Sequence, residues 1–379
     1  MAKLIDITGK ALSGEWGTDD ETGDGIPVLR TTNFTNEGVV NYNDVVTRII
    51  AKKNIDEKYL REGDIIIEKS GGSDKFPVGR VIYFNGEENT YLFNNFTGLL
   101  RVKNQDIWYS KYVFYSLFSN YKRGGTRAFE NKTTGLHNLK IDDYVSQYEV
   151  AEIDKNEQVL ICKKLDNLFS VIKLRKRELQ LLDSLIKARF VEMFGNPASN
   201  PMGWEETTIG NECFYIKDGP HKSLPDIGKE NGGHPFISVR NIVNGHIDFS
   251  TARYISDEDY ADAIKKCHPE RGDMLYSKGG TTGIAKLIDI DEEFANWVHV
   301  AVLKFDKSRL NGIFFENMLN GDYCYNQSQR LTKGIANRDL VLSAMAQIKM
   351  YRPPIELQNQ FADFVNQVDK LLRKQSELV

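Results

Sequence analysis

The segment LDNLFSVIKLRKRELQLLDSLI, from Leu165 to Ile186, differs from the sequence on either side of it. It contains neither Gly nor Pro, whereas the flanking chain is rich in Gly, Asn, Thr and aromatic residues. Alternate steps of four and three residues from Ile161 reach nine further positions: Leu165, Leu168, Ile172, Arg175, Leu179, Leu182, Ile186, Arg189 and Met193. Seven of the nine are apolar, and the other two are arginines. This spacing is typical of a coiled-coil seam and predicts one long helix, which FGNP (194–197) would end.

A second segment near the C-terminus has the same rhythm. It follows Pro353 and Pro354, which favour a helix start. The same spacing continues through Phe361, Phe364, Val368 and Leu371, then through the polar Gln375 and through Leu378. Two seams in one chain most simply pair with each other. Because they follow different globular parts, we predict an antiparallel pair.

The sequence around these helices contains an internal repeat. GIPVLRTTN (25–33) resembles GHPFISVRN (233–241), and REGDIIIEKSGG (61–72) resembles ERGDMLYSKGG (270–280). TGLHN (134–138) resembles KGIAN (333–337), and IDKNEQV (153–159) resembles IELQNQF (355–361). The four matches keep their order, at offsets between 199 and 209 residues. A fixed period of this kind predicts a globular part and a helix that occur twice.

Short apolar runs, Gly-rich corners and amphipathic helices in each half predict an α+β fold. We expect two domains in tandem, separated by two long antiparallel coiled-coil helices, with a pseudo-twofold internal repeat. The predicted boundaries are 1–150 for the first domain and 151–196 for the central helix. Residues 197–350 would form the second domain, and 351–379 a shorter C-terminal helix.

The amino-acid composition limits the classes of protein to which this chain can belong. The sequence is 41% hydrophobic and 27% charged, which is the range of globular proteins. No run of 18 apolar residues exists, so we expect no membrane span. The four cysteines are scattered and form no CxxC pair, which favours reduced thiols in a cytoplasmic protein. With a net charge of −4, nucleic-acid binding would require a local concentration of basic residues.

Two such concentrations occur at matching places, in YKRGGTRAFENKTTGLHNLK (121–140) and YNQSQRLTKGIANR (325–338). Glycine lets a backbone approach phosphates, Lys and Arg neutralise phosphates or bind guanine edges, and Asn can bond adenine. The alternative is an ordinary solvated loop, but the recurrence in both halves favours contact with nucleic acid. The candidate residues are Lys122, Arg123, Arg127, Lys132 and Asn138 in the first half, and Gln329, Arg330, Lys333, Asn337 and Arg338 in the second.

Glycine-rich segments supply further candidates. Lys69 in KSGG, and Lys278 and Thr281 in KGGTTG, belong either to loops that contact a DNA backbone or to plain turns between strands. A nucleotide-binding P-loop is excluded, because its lysine follows the glycines and here the lysine precedes them.

The ends of the first matching strands carry Arg30 with Asn33, and Arg240 with Asn241. Contact with a phosphate or base edge and capping of the strand end are about equally consistent with these pairs. The histidines show no metal-ligand spacing and no nucleophile signature occurs, so we expect no metal site and no catalytic residue.

The whole chain resembles the specificity subunit of type I restriction-modification systems. The resemblance is carried by SGEWGTDDE with GIPVLRTTNF, by PPIELQNQF and by KARFVEMFGNP. It implies two target recognition domains, each binding half of a split double-stranded DNA sequence. It also implies docking of two DNA adenine methyltransferase subunits and of ATP-dependent restriction subunits. S-adenosylmethionine and ATP with Mg²⁺ would be bound by those partners, with no cofactor in this chain.

The resemblance implies that the two helices set the distance between the two target recognition domains and provide the surface on which the partner subunits dock. From Ile161 to Met193 the seam is about 48 Å long at ~1.5 Å per residue, or roughly 14 base pairs. Arg175 and Arg189 interrupt it, either as edge residues or as partners of carboxylates such as Glu377. The second helix is the shorter, so we expect part of the first to need another cover. The docking candidates are Leu165, Leu168, Ile172, Leu179, Leu182, Ile186, Phe361, Phe364, Val368 and Leu371.

Two other functions remain possible at this point. The chain could be the separate recognition chain of a type II enzyme that fuses restriction and methylation, a difference that lies in the partner. A structural coiled-coil scaffold without DNA binding is the third possibility, and the repeated basic stretches argue against it.

Overall fold

The computed structural model describes residues 1–52, 55–133, 136–243, 245–335 and 337–376. The chain forms two compact units, Met1–Leu174 and Arg175–Val379. The predicted central helix runs from Lys155 to Phe194 and contributes residues to both units. None of the helices among the described residues is long and apolar enough to cross a membrane.

The first unit alternates short strands with helices. Its elements are β1 Ala2–Lys3, α1 Leu4–Thr8, β2 Leu12–Ser13, β3 Thr18–Asp19, β4 Ile26–Leu29, β5 Val46–Ile49, β6 Ile65–Glu68, β7 Ser70–Gly72, β8 Val81–Tyr83, β9 Leu92–Phe93, β10 Thr97–Leu100, α2 Ser110–Lys122, β11 Glu130–Thr133, β12 Leu136–Leu139, α3 Ile141–Gln147, β13 Glu149–Val150 and the start of α4 Lys155–Phe194. The central strand β6 is buried along its whole length, which explains its unbroken apolar run.

Two sheets form the centre of this unit. One is antiparallel with the order β2-β10-β6-β8, and the other has the order β3-β5-β4-β9 with β4 and β9 parallel. Helix α2 packs on the first sheet through its buried aromatic face, which includes Phe114 and Phe118. A smaller sheet, β11-β12-β7, and the pair β1-β13 complete the unit.

The second unit has a similar series of elements. They are β14 Glu205–Thr208, α5 Ile209–Glu212, β15 Cys213–Asp218, β16 His234–Ile237, β17 Arg253–Ile255, α6 Asp257–Lys266, β18 Met274–Ser277, β19 Ala285–Leu287, β20 Ala295–Asn296, β21 Val300–Phe305, α7 Gly312–Asn320, α8 Asp322–Leu331, α9 Leu342–Met345, β22 Lys349–Arg352 and α10 Ile355–Ser376.

The sheets of the second unit repeat those of the first. The order β15-β21-β18-β19 matches β2-β10-β6-β8, and β17-β16-β20 matches β5-β4-β9 with the same parallel pair. The pair β14-β22 matches β1-β13. The predicted internal repeat of an α+β domain is therefore confirmed.

A buried glutamine holds the start of each long helix. Gln158 accepts a hydrogen bond from the Tyr109 backbone N–H (2.9 Å) and donates to the carbonyls of Ile107 and Ile153. Gln358 makes the same three bonds, with the Asn311 N–H (2.8 Å) and the carbonyls of Arg309 and Pro353. Both side chains are fully buried. The attachment of helix to domain is thus shared. The fourth sequence match, IDKNEQV with IELQNQF, is two residues out of register, because it pairs Gln158 with Gln360 whereas the equivalent buried glutamine is Gln358.

In the second unit, α10 packs against the C-terminal part of α4. The Phe361 ring centre lies 5.4 Å from that of Phe190 and 5.5 Å from that of Phe194. The Arg189 guanidinium lies 5.6 Å from the Phe364 ring centre. The earlier α10 residue, Phe361, contacts Phe190 and Phe194, whereas the later one, Phe364, contacts Arg189, which is earlier in α4. The two helices are therefore antiparallel here, as predicted.

Phe190 and Phe194 lie beside the predicted seam rather than in it. Both are buried, and both rings contact Phe314 of α7, at 5.7 and 4.8 Å between ring centres. The heptad pattern missed them because it assumes that only another helix covers α4. Here the core of the second domain covers the neighbouring face as well.

The N-terminal part of α4 packs on helix α2 of the first unit. The Asp166 carboxylate accepts bonds from the Lys111 ammonium (2.8 Å) and the Tyr115 hydroxyl (2.6 Å). Phe169 stacks on Tyr115 with ring centres 5.8 Å apart, and Cys162 is buried. This part of the helix therefore belongs to the first domain's packing.

Replacing Gln158 with Ala should destabilise the first domain, because one backbone N–H and two carbonyls would lose their partner inside the protein. We expect the free energy of unfolding to fall by about 2–4 kcal/mol, measured by chemical denaturation of the purified chain. Gln358→Ala should act likewise in the second domain. The exposed neighbour Glu157→Ala is the control and should change stability by less than about 0.5 kcal/mol. Similar losses for Gln158 and Glu157 would contradict this account.

Candidate nucleic-acid interface

In the first unit, two stretches predicted separately from the sequence lie side by side. Strand β12 of the basic stretch pairs with both β11 and β7, and β7 follows Lys69 directly. The Leu139 N–H donates to the Lys69 carbonyl at 2.8 Å. The Arg127 guanidinium donates to the carbonyls of Asp74 (3.1 Å) and Lys75 (3.4 Å) in the next loop. The hairpin β11–β12 and the glycine-rich segment thus form one surface.

The second unit brings the corresponding stretches together. The Leu340 N–H donates to the Lys278 carbonyl at 2.7 Å, and the Gly280 N–H donates to the Arg338 carbonyl at 3.0 Å. The Gln329 side chain donates to the Thr282 carbonyl at 2.9 Å and accepts a bond from Arg338. Backbone bonds between Lys333 and Asp339, 2.9 Å in both directions, close the loop.

These bonds correct one sequence match. Leu139 and Leu340 occupy equivalent positions, because each donates to the carbonyl of the matching lysine. Their offset is two residues larger than the offset that matches TGLHN with KGIAN. Asn138 therefore corresponds to Asp339 and not to Asn337. Sequence similarity in a short Gly-containing segment does not show this shift of register.

The two lysines beside the glycines differ in environment. Lys278 is buried, and its ammonium lies 2.9 Å from Asp339 and 3.5 Å from Asp218. It is committed to internal ion pairs, so a phosphate contact is no longer proposed for it. Lys69 is half-buried and donates to the Ser13 hydroxyl at 3.0 Å. Burial, with a smaller effect of nearby Lys58, lowers the pKa of the Lys69 ammonium.

Asn33 and Asn241 are buried capping residues. Their amide oxygens accept the backbone N–H of Arg30 and of Ser238, each at 2.8 Å. The Asn33 amide nitrogen donates to two backbone carbonyls, and that of Asn241 to the Asp248 carbonyl. Of the two interpretations, capping is the one that these bonds support. A base contact would require the bonds to break, so none is proposed for either asparagine.

The neighbouring arginines are partly engaged. Arg30 forms an ion pair with Asp44 at 2.9 Å, and Arg240 donates to the Thr251 carbonyl at 2.7 Å while its side chain stays exposed. Several other predicted residues are exposed and stay predictions as DNA contacts: Lys122, Arg123, Arg127, Thr281, Arg330, Lys333, Asn337 and Arg338. Gln329 and Asn138 are half-buried. The side chain of Lys132 lies outside the described residues, although its backbone belongs to β11.

A concave site in the second unit was not predicted from the sequence. Phe236, Ser238, Arg240, Arg253 and Trp297 line a cavity of about 220 Å³. The Arg253 guanidinium lies 5.9 Å from the Trp297 ring centre, and the buried indole N–H of Trp297 has no hydrogen-bond partner among the described residues. The residues come from β16, from its neighbour β17 and from the segments that follow β16 and β20, so no local sequence pattern joins them. Only the strand order β17-β16-β20 would have indicated it.

The predicted docking residues fall into two groups. Phe361 and Val368 are buried, so neither side chain is available for docking, and Phe361 belongs to the core of the second unit. Leu168, Ile172, Leu179 and Leu371 are exposed, and Leu165, Leu182, Ile186 and Phe364 are half-buried. Arg175 and Arg189 each form an ion pair one turn along α4, with Glu178 and Glu192. The suggested partner Glu377 lies outside the described residues.

The described part of the chain contains no group of three or more His, Cys, Asp or Glu residues that could hold a metal ion. All four cysteines are free and buried. Burial raises the pKa of the Cys162 and Cys267 thiols to about 11, and that of Cys213 and Cys324 to about 12. Because the thiolate is the reactive form, these are packing residues and not nucleophiles.

Two tandem α+β domains on a shared long helix, each with an exposed basic loop, define the class of this protein. Residues 2–184 and 201–378 match the family model of the type I restriction modification DNA specificity domain. The chain therefore belongs to the type I restriction-modification specificity family. A search of curated protein sequences gave no match.

Two solved structures have similar folds. One is the type I restriction-modification system S subunit from M. genitalium, with 16% identity and a TM-score of 0.60 over 99% of this chain and 90% of that one. Another is a chain from a structure that describes complex assembly and conformational transition of the type I R-M system. It has 16% identity and a TM-score of 0.50, over 100% of this chain and 92% of that one. At this identity the likeness shows the fold.

Proposed function

We propose that the chain is the non-catalytic DNA-recognition subunit of a type I restriction-modification complex and binds a bipartite site on double-stranded DNA. The observation that carries the proposal is the repeated surface, in which a basic loop lies beside a glycine-rich segment on the same fold in each unit. The framework is the same and the exposed side chains differ. That combination suits two domains that bind two different half-sequences.

On this proposal the partners are two DNA adenine methyltransferase subunits and ATP-dependent restriction subunits. They would hold S-adenosylmethionine and ATP with Mg²⁺, and this chain would hold no cofactor. The family match and the likeness to an S subunit support this assignment.

The test is to express the chain with and without a cognate methyltransferase subunit in a bacterium that lacks adenine methylation. Sequencing that detects modified bases should then find methylated adenines in one split sequence, only when both chains are present. Methylation of the same sequence without this chain, or no defined sequence with it, would overturn the proposal.

Neutralising exposed basic residues should weaken DNA binding in a salt-dependent way. Arg330→Gln with Lys333→Gln removes two positive charges from the second unit's loop. If both contact phosphates, the slope of log affinity against log salt should become less steep by about 1.8. Fluorescence anisotropy of the assembled complex with a duplex of the mapped site measures this slope.

The matched control for that experiment removes two lysines elsewhere on the same unit. Lys229→Gln with Lys265→Gln changes the net charge equally, and both residues are exposed. The same change of slope in both double variants would show that net charge acts, and not the loop.

The exposed apolar face of α4 should bind a partner subunit. Leu168 and Ile172 are 58% and 50% exposed. Covering such a side chain contributes roughly 1.5–3 kcal/mol. Leu168→Ser with Ile172→Ser should therefore weaken assembly with the methyltransferase subunit at least tenfold in a titrated pull-down, with little effect on the melting temperature of the isolated chain. Lys173→Ser is the control on the same helix, and assembly unchanged in the double variant would contradict the docking role.

Lengthening α4 tests whether the helix sets the spacing of the two half-sequences. An insertion between Lys163 and Leu165 is unsuitable, because Cys162 and Asp166 on either side both pack on the first unit. A heptad between Lys173 and Leu174 keeps the helical face to within ~20° and adds about 10.5 Å. That length equals roughly three base pairs.

The expected outcome is methylation of the same two half-sequences with a longer spacer, or loss of methylation in a complex that still assembles. Mapping modified adenines and copurification of the subunits measure the two outcomes. Full methylation at the original spacing would show that the helix does not determine the distance.

A further inference from the structure

An aromatic side chain projects from the loop between β7 and β8. Phe76 is 58% exposed, although the loop that carries it is well fixed. The Ser73 N–H donates to the Phe76 carbonyl at 2.7 Å, and the Phe76 N–H donates to the Ser73 hydroxyl at 3.1 Å. The Arg127 guanidinium donates hydrogen bonds to the carbonyls of Asp74 and Lys75, the two residues between Ser73 and Phe76. The ring is therefore exposed by a defined turn.

The second unit has no counterpart of this loop. Equivalent backbone bonds bracket the segment, from the Glu68 N–H to the Arg80 carbonyl and from the Ser277 N–H to the Ile284 carbonyl, both at 2.8 Å. Residues 69–79 lie between the first pair and 278–283 between the second, so the first unit is longer by five residues. The extra residues include the one exposed aromatic in this segment of either unit.

Beside Phe76 lie two cations, Lys75 and Arg127, the exposed carboxylate of Asp74, and a second exposed apolar residue. The Lys75 ammonium lies 5.3 Å from the Phe76 ring centre. Leu136, at the tip of the adjacent hairpin, is 57% exposed, and its neighbour His137 pairs with Gly72 of β7. Apolar rings rimmed by cations suit a nucleic acid better than an apolar protein surface, because phosphates neutralise the cations while base faces cover the ring.

We infer that Phe76 is a wedge that inserts at one base step of the half-site bound by the first domain, with Lys75 beside a phosphate and Arg127 as the positioning residue of the loop. The inference rests on the proposed function. Apolar side chains that enter a duplex in this way unstack the bases and kink the helix axis. Specificity would then include the ease with which that base step unstacks, in addition to hydrogen bonds with base edges.

The test uses the assembled complex and duplexes of the mapped site with 2-aminopurine at successive positions in both half-sites. Fluorescence of this base rises when it unstacks. The adenines that the methyltransferase flips should give a rise in every variant. Apart from those positions, we expect a rise at one step of one half-site with the unaltered chain and its loss with Phe76→Ala. Affinity should fall roughly tenfold, as expected for one lost base–aromatic stack. Phe76→Trp should keep the rise.

The matched control is Phe214→Ala, which removes a phenylalanine of β15 in the second unit that is 75% exposed, more than Phe76. It should leave fluorescence and affinity unchanged. Because the Phe76 ring is largely in solvent, Phe76→Ala should melt at the same temperature as the unaltered chain.

Three outcomes overturn the inference. If the complex binds its site but no step apart from the methylated adenines unstacks, or Phe76→Ala keeps the rise at that step, the wedge is wrong and the proposed function stands. If Phe76→Ala weakens subunit assembly and leaves the DNA signal intact, the ring contacts a protein. If the unaltered complex binds no defined sequence, the proposed function and the wedge both fail.

Discussion

The buried glutamine at the start of each long helix is the constraint on which the architecture depends. Gln158 and Gln358 each satisfy one N–H and two carbonyls from two separate segments of their domain. Apolar packing has no preferred direction, whereas hydrogen bonds to three backbone groups fix both position and direction. The side-chain amide of this glutamine therefore fixes the position and direction in which each long helix leaves its domain. The aromatic cluster of Phe190, Phe194 and Phe361 then adds burial in the second unit.

The repeat was predictable from the sequence because it rests on many weak matches in a fixed order. The structure confirms it in the shared strand orders and in the two glutamines. The two long helices were predictable from their apolar periodicity, and their antiparallel direction from the order of domains and helices along the chain. The periodicity did not show which part of the seam is covered, since Leu168, Ile172 and Leu179 are exposed. That pattern could not show Phe190 and Phe194, since the domain core that covers them is distant in the sequence.

The candidate interface was harder to predict, for a physical reason. An asparagine that caps a turn and one that binds adenine use the same amide atoms, so Asn33 and Asn241 remained ambiguous until their neighbours were placed. Lys278 looks like a phosphate ligand until Asp218 and Asp339, each about 60 residues away in the sequence, lie beside it. Residue type indicates what a side chain can bond, but only the fold shows what it already bonds.

The attachment of helix to domain also bears on how such genes change. Each domain ends in the same few bonds to a glutamine, so another domain that presents one N–H and two carbonyls there would leave the helix where it is. Recombination between genes within the helix sequences would then exchange whole domains without redesigning the junction. Loops such as 73–76 can also drift in length, since doubling a loop costs only about 0.6 kcal/mol. On the proposed function, a lineage built in this way would acquire new DNA targets faster than it acquires new folds.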